Sequence, residues 1–375
     1  MADAIKVGDG VGAAPIQEEL LARFWRSGRE AWRSRRTLAA GLATFLITVT
    51  LLQLFLQVLL NAWNRNFFDA LERKDGAALW EQARIFLPLA AGSIALAAAS
   101  VWGRMTTQRG WREALSRHVI GKWLANGRFR GINPLVHGSE NPEYRIAVDI
   151  RMSTDAPVDM ALALLSSFLT AITFFGVLWS VGGSIEIVLF GHAVTIPGYL
   201  VLGVIAYSSI MSGLMLLMGR NLTNIIERTN QSEAEFRAAA DAFGQMNGHD
   251  EGRTDNVEDK QRTLWLRLQA VLIWWREYCR QLVRTTLVSH GNFLLAPVVA
   301  WILCVPKYLS GVMSLGELTQ AAAAFVTVQG AFNWLVDNYQ RLADCRSAAY
   351  RVATLLVALD ALEAQEAPTP LQESA

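Results

Sequence analysis

Apolar and polar positions alternate along this chain in long blocks. Six apolar segments, Leu38–Leu60, Ile85–Val101, Val158–Val181, Ile196–Met218, Thr286–Val305 and Leu318–Val336, are each close to the roughly 20 residues a helix needs to cross a bilayer. Between them, Thr106 to Leu124 and Asn221 to Phe243 lack proline and continue from an apolar segment, which predicts helices projecting well beyond the membrane. Ahead of the first segment, Leu20, Leu21, Phe24, Trp25 and Trp32 recur among basic residues from Glu18 to Arg36, the pattern of an amphipathic helix on the membrane face or of a soluble lead-in. Residues 1 to about 17 are Gly- and Ala-rich and predict a disordered tail. The expected organisation is a tail and amphipathic helix over 1–37, an all-α, six-helix membrane domain over 38–350, and a cytoplasmic C-terminal tail over 351–375.

Two sets of amides interrupt the apolar blocks with helical spacing. Gln53, Gln57 and Asn61 recur every four residues in the first segment, and Gln329, Asn333 and Asp337 do so around the last, so each set forms one stripe. Amides facing lipid would lack partners, so the stripes should face protein or water. They either line a cavity or bond across helices in a closed bundle. Asp337 is expected on a water-filled side, with Arg341 one turn on as a partner. His290 can titrate near neutral pH, and a lone histidine also serves as a packing residue.

Composition and charge narrow the classes. Of the residues, 52% are hydrophobic and 18% charged, a balance that suits a helical membrane protein, and the net charge of +1 gives no reason to expect a nucleic-acid partner. Basic residues crowd before the first segment, between the second and third, and between the fourth and fifth, which places those regions and both termini in the cytoplasm. Cys279, Cys304 and Cys345 stand far apart, with no spacing for a disulfide framework or a zinc site, so neither metal nor cofactor is expected. No histidine cluster, H-E-x-x-H or Ser-His-Asp set marks an enzyme.

Four ordered motifs carry a resemblance. LNAWNRNFFDALERKD (Leu60–Asp75) contains Trp63, Asn64, Arg65 and Asp69; GWREALSRHVIGKWL (Gly110–Leu124) contains Trp111 and Arg112; NPEYRIAVDI (Asn141–Ile150) contains Asn141, Pro142, Arg145 and Asp149; NQSEAEFR (Asn230–Arg237) ends in Phe236 and Arg237. In this order they resemble the SbmA/BacA-type peptide transporters and the membrane domains of class D (peroxisomal fatty-acyl type) ABC transporters. The resemblance implies an ABC-exporter-type membrane fold in the bacterial inner membrane. It also implies a homodimer with exchanged helices around a shared cavity, and peptides or other large hydrophilic compounds as cargo.

Energisation divides two readings. No G-x-x-x-x-G-K-[ST] occurs in these residues, so they are not expected to hydrolyse ATP unaided. By resemblance, either transport is coupled to protons, as in SbmA/BacA-type members, or a separately encoded ATP-binding subunit drives it. Asp241–Asp259 lacks the acidic-aromatic-glycine stretch with which class D members meet their nucleotide-binding domain, which favours protons. The resemblance then places coupling carboxylates at Glu227 and Glu233, with Asp337 as a further candidate. The plain alternative is that Glu233 and Arg237 form an ordinary helix ion pair. A different class, a non-transporting membrane scaffold or accessory subunit, also fits the sequence.

Overall fold

The structure, a computed structural model, describes residues 20, 22–26, 36–131, 142–189, 192–244 and 254–366. They divide into two compact units, one of residues up to Thr170 together with those from Asp337 onward, the other of Ala171–Val336.

The first unit contains α1 (Arg36–Glu72), α2 (Gly76–Leu124) and the first part of α3 (Ile150–Gly182), with the last part of α7 (Leu315–Glu366). Asp75 starts α2 by accepting from the backbone N–H groups of Ala77 and Ala78, each at 3.1 Å, which satisfies two donors that a helix start leaves open. The 49 residues of α2 span about 74 Å at 1.5 Å each, more than twice the hydrocarbon thickness of about 30 Å. Gly103 lets α1 and α2 approach, since a Cβ there would lie 2.8 Å from Phe45 Cε1. Residues 22–26 are helical, and the Asn141 end of the third motif lies outside the described residues.

The second unit holds the end of α3, the hairpin β1 (Ser184–Leu189) and β2 (His192–Pro197), α4 (Tyr199–Gly219), α5 (Leu222–Gly244), α6 (Thr254–Leu309) and the first part of α7. The strands are antiparallel, with Ser184 opposite Pro197. Gly198, at φ +62°, turns the chain into α4 where a Cβ would sit 2.3 Å from the Trp179 ring, so only glycine suits the position. Leu222–Phe243 is helical as predicted, but Arg220 and Asn221 form a short turn between α4 and α5. A capping box opens α7: Ser314 Oγ accepts from Glu317 N and Glu317 Oε2 from Ser314 N, both at 3.1 Å.

Among the described residues, five helices are long and apolar enough to cross a membrane. They contain the first five predicted segments, except that the fourth begins at Tyr199 because Ile196 and Pro197 belong to β2. The sixth, Leu318–Val336, lies in α7 and does not join them, because alanines replace larger aliphatic residues and Gln320, Gln329 and Asn333 interrupt it. Its surroundings explain the difference: Ala321, Ala322, Ala324, Phe325 and Val328 are all buried. The most apolar window of α2, by contrast, has no buried residue.

Candidate functional site

The third motif builds the centre of the first unit. Pro142 opens a helical turn that passes through a π-helical segment, Arg145–Asp149, into α3, and this widened turn directs both Arg145 and Asp149 inward. Asp149 is fully buried. Its carboxylate accepts a fork from Arg351 of α7, Nε to Oδ2 at 2.8 Å and Nη2 to Oδ1 at 2.7 Å. Arg145 Nη1 donates to the Arg351 carbonyl at 3.3 Å. Around this pair Phe24, Leu115, Val119, Ile150, Val352 and Leu359 form an apolar core. The sequence singled out Asp149 within the third motif but left Arg351 unnoticed; the available signal was an arginine inside the apolar run Ala348–Leu359.

One turn and more beyond, α7 presents Asp360, Glu363 and Glu366 to the end of α2. Lys122 Nζ donates to Asp360 at 2.5 Å and to Glu363 at 3.2 Å, and Arg23 also pairs with Asp360. Left-handed Asn126 and Gly127 turn the chain so that buried Arg128 reaches Glu366 at 2.8 Å, with Asn126 Nδ2 on the same carboxylate at 2.8 Å. Burial alone would raise the Asp360 carboxyl, but the hydrogen bonds from Lys122 and Arg23 outweigh it and hold it below the ordinary value. The Arg128 hydrogen bond, followed by that of Asn126, likewise lowers Glu366. None of these acidic residues was singled out from the sequence.

A third node lies at the start of the third apolar segment. Asp159 takes Gln108 Nε2 at 2.6 Å and Arg104 Nε at 3.2 Å, and it pairs with Arg341. Arg341 therefore has Asp159 of another helix as a partner, a carboxylate to which the bare one-turn spacing gave no pointer. The Asp337 side chain lies outside the described ones.

The other motif residues have packing duties. Trp63 Nε1 donates to the Gln82 carbonyl at 2.9 Å, and its ring meets Phe67 at 5.3 Å and Phe86 of α2 at 4.7 Å. Asn64 is half-buried, and Arg65 and Asp69 stand 3.7 Å apart as an i,i+4 pair. Trp111 packs on Trp25 at 5.7 Å, while Arg112 is exposed. In the first stripe Asn61 is buried, Gln53 half-buried and Gln57 exposed, so the three do not share one environment.

In the second unit Gln329 is buried and its Nε2 has no partner, whereas Asn333 is half-buried. Tyr207 of α4 donates to Asn292 Oδ1 of α6 at 2.9 Å and rests on Phe325 of α7. Glu227, Glu233 and Arg237 are exposed on α5, and Phe236 is half-buried. The α5 ion pair runs instead from Glu235 to Arg267 of α6. His290 is exposed beside Phe293. Among the described residues, no group of three His, Cys, Asp or Glu stands together to hold a metal.

Membrane-length helices, one carried far past the bilayer and tied at its far end by partly buried ion pairs, define a polytopic permease-type domain rather than a catalytic one. The chain belongs to the ABC transporter transmembrane region 2 family, which it matches over residues 33–242, more than half its length. It is 25% identical over 352 residues to the inner membrane ABC transporter ATP-binding protein YddA of Escherichia coli, covering 89% of this chain and 60% of that protein. An uncharacterized ABC transporter ATP-binding protein of Synechocystis is 25% identical across 81% of this chain and 44% of its own length. The chloroplastic ABC transporter D family member 2 of Arabidopsis thaliana is 21% identical across 85% and 43%. The chain therefore spans about two fifths to three fifths of these relatives. They support the ABC side of the resemblance; the SbmA/BacA-type assignment rests on the sequence motifs alone.

Proposed function

We propose that this chain is the transmembrane part of an ABC transporter of a bacterial inner membrane, driven by a nucleotide-binding domain outside residues 1–375. The observation that carries the reading is the family match over 33–242, on helices that run past the membrane. Two of the relatives named above are called ATP-binding proteins and extend well beyond the matched portion, which supports the same division of labour. Proton coupling through Glu227 and Glu233 has less support: both are exposed on α5.

In this reading residues 38–350 form the transmembrane domain of a homodimer, 1–37 its lead-in and 351–375 a C-terminal segment that begins with the last turns of α7. The cargo is a peptide or similarly large hydrophilic compound, which Gln53, Gln57, Asn61, Gln329, Asn333 and Asp337 meet along a water-filled path. The test is movement of a labelled hydrophilic peptide in vesicles containing the protein purified with whatever co-isolates from its native membranes. ATP, but neither a non-hydrolysable analogue nor a pH gradient, should support movement. Uptake by the chain alone under a pH gradient, lost in Glu233→Gln, would restore the proton-driven reading. Intact complexes that move nothing under either condition would favour a scaffold.

A further inference from the structure

At the hairpin end of the second unit an apolar cavity of about 270 Å³ is walled by Ile185 and Ile196 of the strands, Tyr199 and Leu202 of α4, and Ile302 and Pro306 of α6. Leu202 and Ile302 are 56% and 64% exposed, so the cavity opens along an apolar face of two membrane-length helices. Two polar groups at its end lack the partners their chemistry calls for. Tyr199 is 7% exposed, and its hydroxyl is buried with no hydrogen bond. Lys307, the residue after Pro306, holds its ammonium 5.3 Å from the centre of the Tyr199 ring and donates to the Gly182 carbonyl. Among the described residues no carboxylate lies within ion-pair reach of it.

A cation fixed at the end of an apolar groove, at the edge of a membrane helix, is placed to meet an anionic headgroup. A free anion would leave the apolar walls unfilled, and a hydrocarbon chain alone would leave the ammonium without its counter-charge. We propose that this cavity binds one anionic phospholipid from the hairpin-side leaflet, an acyl chain in the groove and the phosphate on Lys307. The ester oxygens of that lipid offer the Tyr199 hydroxyl the acceptor it lacks. The site stands apart from the energy source of transport and needs only that the chain sits in a membrane. Its occupant would wedge the hairpin against α4 and α6, where Gly203 already brings α4 within 2.7 Å of Leu303 Cδ1 for any added Cβ.

The test is native mass spectrometry of the detergent-solubilised protein titrated with dioleoyl phosphatidylglycerol, dioleoyl phosphatidylethanolamine or inorganic phosphate. The wild type should retain phosphatidylglycerol about fivefold more strongly than phosphatidylethanolamine, the scale of one lysine near a charged lipid surface. Lys307→Gln should abolish that preference, and Lys307→Arg should keep it. Leu202→Trp, which fills the groove, should lose the tightly held lipid while melting and eluting as the wild type. Equal retention of both lipids by the wild type, or an unchanged preference in Lys307→Gln, would overturn the proposal. So would phosphate competing as well as the lipid, or Leu202→Trp splitting a dimer without changing the lipid count, which would assign the groove to a second copy.

Discussion

The two units differ in the charge they bury. In the first, Asp149 is fully enclosed, yet both carboxylate oxygens meet Arg351, and Asp360 and Glu366 each meet more than one donor. In the second, the buried polar groups are neutral, and several, including Gln329 Nε2, the Ser208 hydroxyl and the Tyr199 hydroxyl, have no partner. A buried charge is tolerated only when fully paired, so the first unit is built as a locked joint. An unpaired amide or hydroxyl costs about 1–3 kcal/mol, small enough to persist where water, cargo or lipid supplies the missing bond. Among the described residues, buried charge is confined to the first unit.

The largest break in that contrast should come from Asp149→Ala. It removes the buried carboxylate that the Arg351 guanidinium meets through two nitrogens, and the expected loss is about 3 kcal/mol, read as a fall in melting temperature in detergent. Replacing both partners, Asp149→Leu with Arg351→Met, should restore most of it, because the uncompensated charge disappears. Phe24→Ala should cost about 3 kcal/mol if the short N-terminal helix is anchored through that ring, and should make the chain ahead of α1 sensitive to protease. Gln329→Leu should leave stability within about 1 kcal/mol or raise it, since an unpartnered amide is removed. Its effect on transport separates the two readings of the stripe: a large loss at unchanged stability marks a side chain that meets cargo, and no loss marks packing.

The same contrast explains what could be read in the sequence. Lipid selects for apolar bulk at every exposed position, so α2 announces itself through Leu87 and Ile94, which face outward at 69% and 71% exposure. The corresponding part of α7 packs against protein, where alanines suffice, and its apolar signal falls accordingly. The motifs were legible as landmarks, but their reasons were not. Trp63 is explained by Phe86 and the Gln82 carbonyl on the next helix, and Asp149 by an arginine 202 positions away. Helical spacing reports only neighbours on the same helix. It missed Asp159 as a partner of Arg341, and it suggested Arg237 for Glu233 when the pair on that helix joins Glu235 to Arg267.

The smallest predicted effect concerns the rim of the locked joint, where pH distinguishes a working clamp from incidental surface pairing. Asp360 has a folded-state proton affinity below that of the unfolded chain, whose aspartates titrate near about 3.9. A carboxyl of this kind stabilises the fold above the unfolded value, and the contribution is lost as pH falls through the lowered folded one. Asp360→Asn should therefore melt below the wild type at pH 7, and the gap should narrow as the pH falls through about 4 and close below it. The Glu366→Gln gap should follow the same direction, because Arg128 and Asn126 lower that carboxyl too. Added salt should shrink both gaps at pH 7, since the pairs lie at the rim, but leave the Asp149→Ala loss nearly unchanged, because no solvent reaches that carboxylate. Gaps that ignore pH would mean that Lys122 and Arg23 hold Asp360 only in passing, and that the joint depends on Arg351 and the apolar core alone.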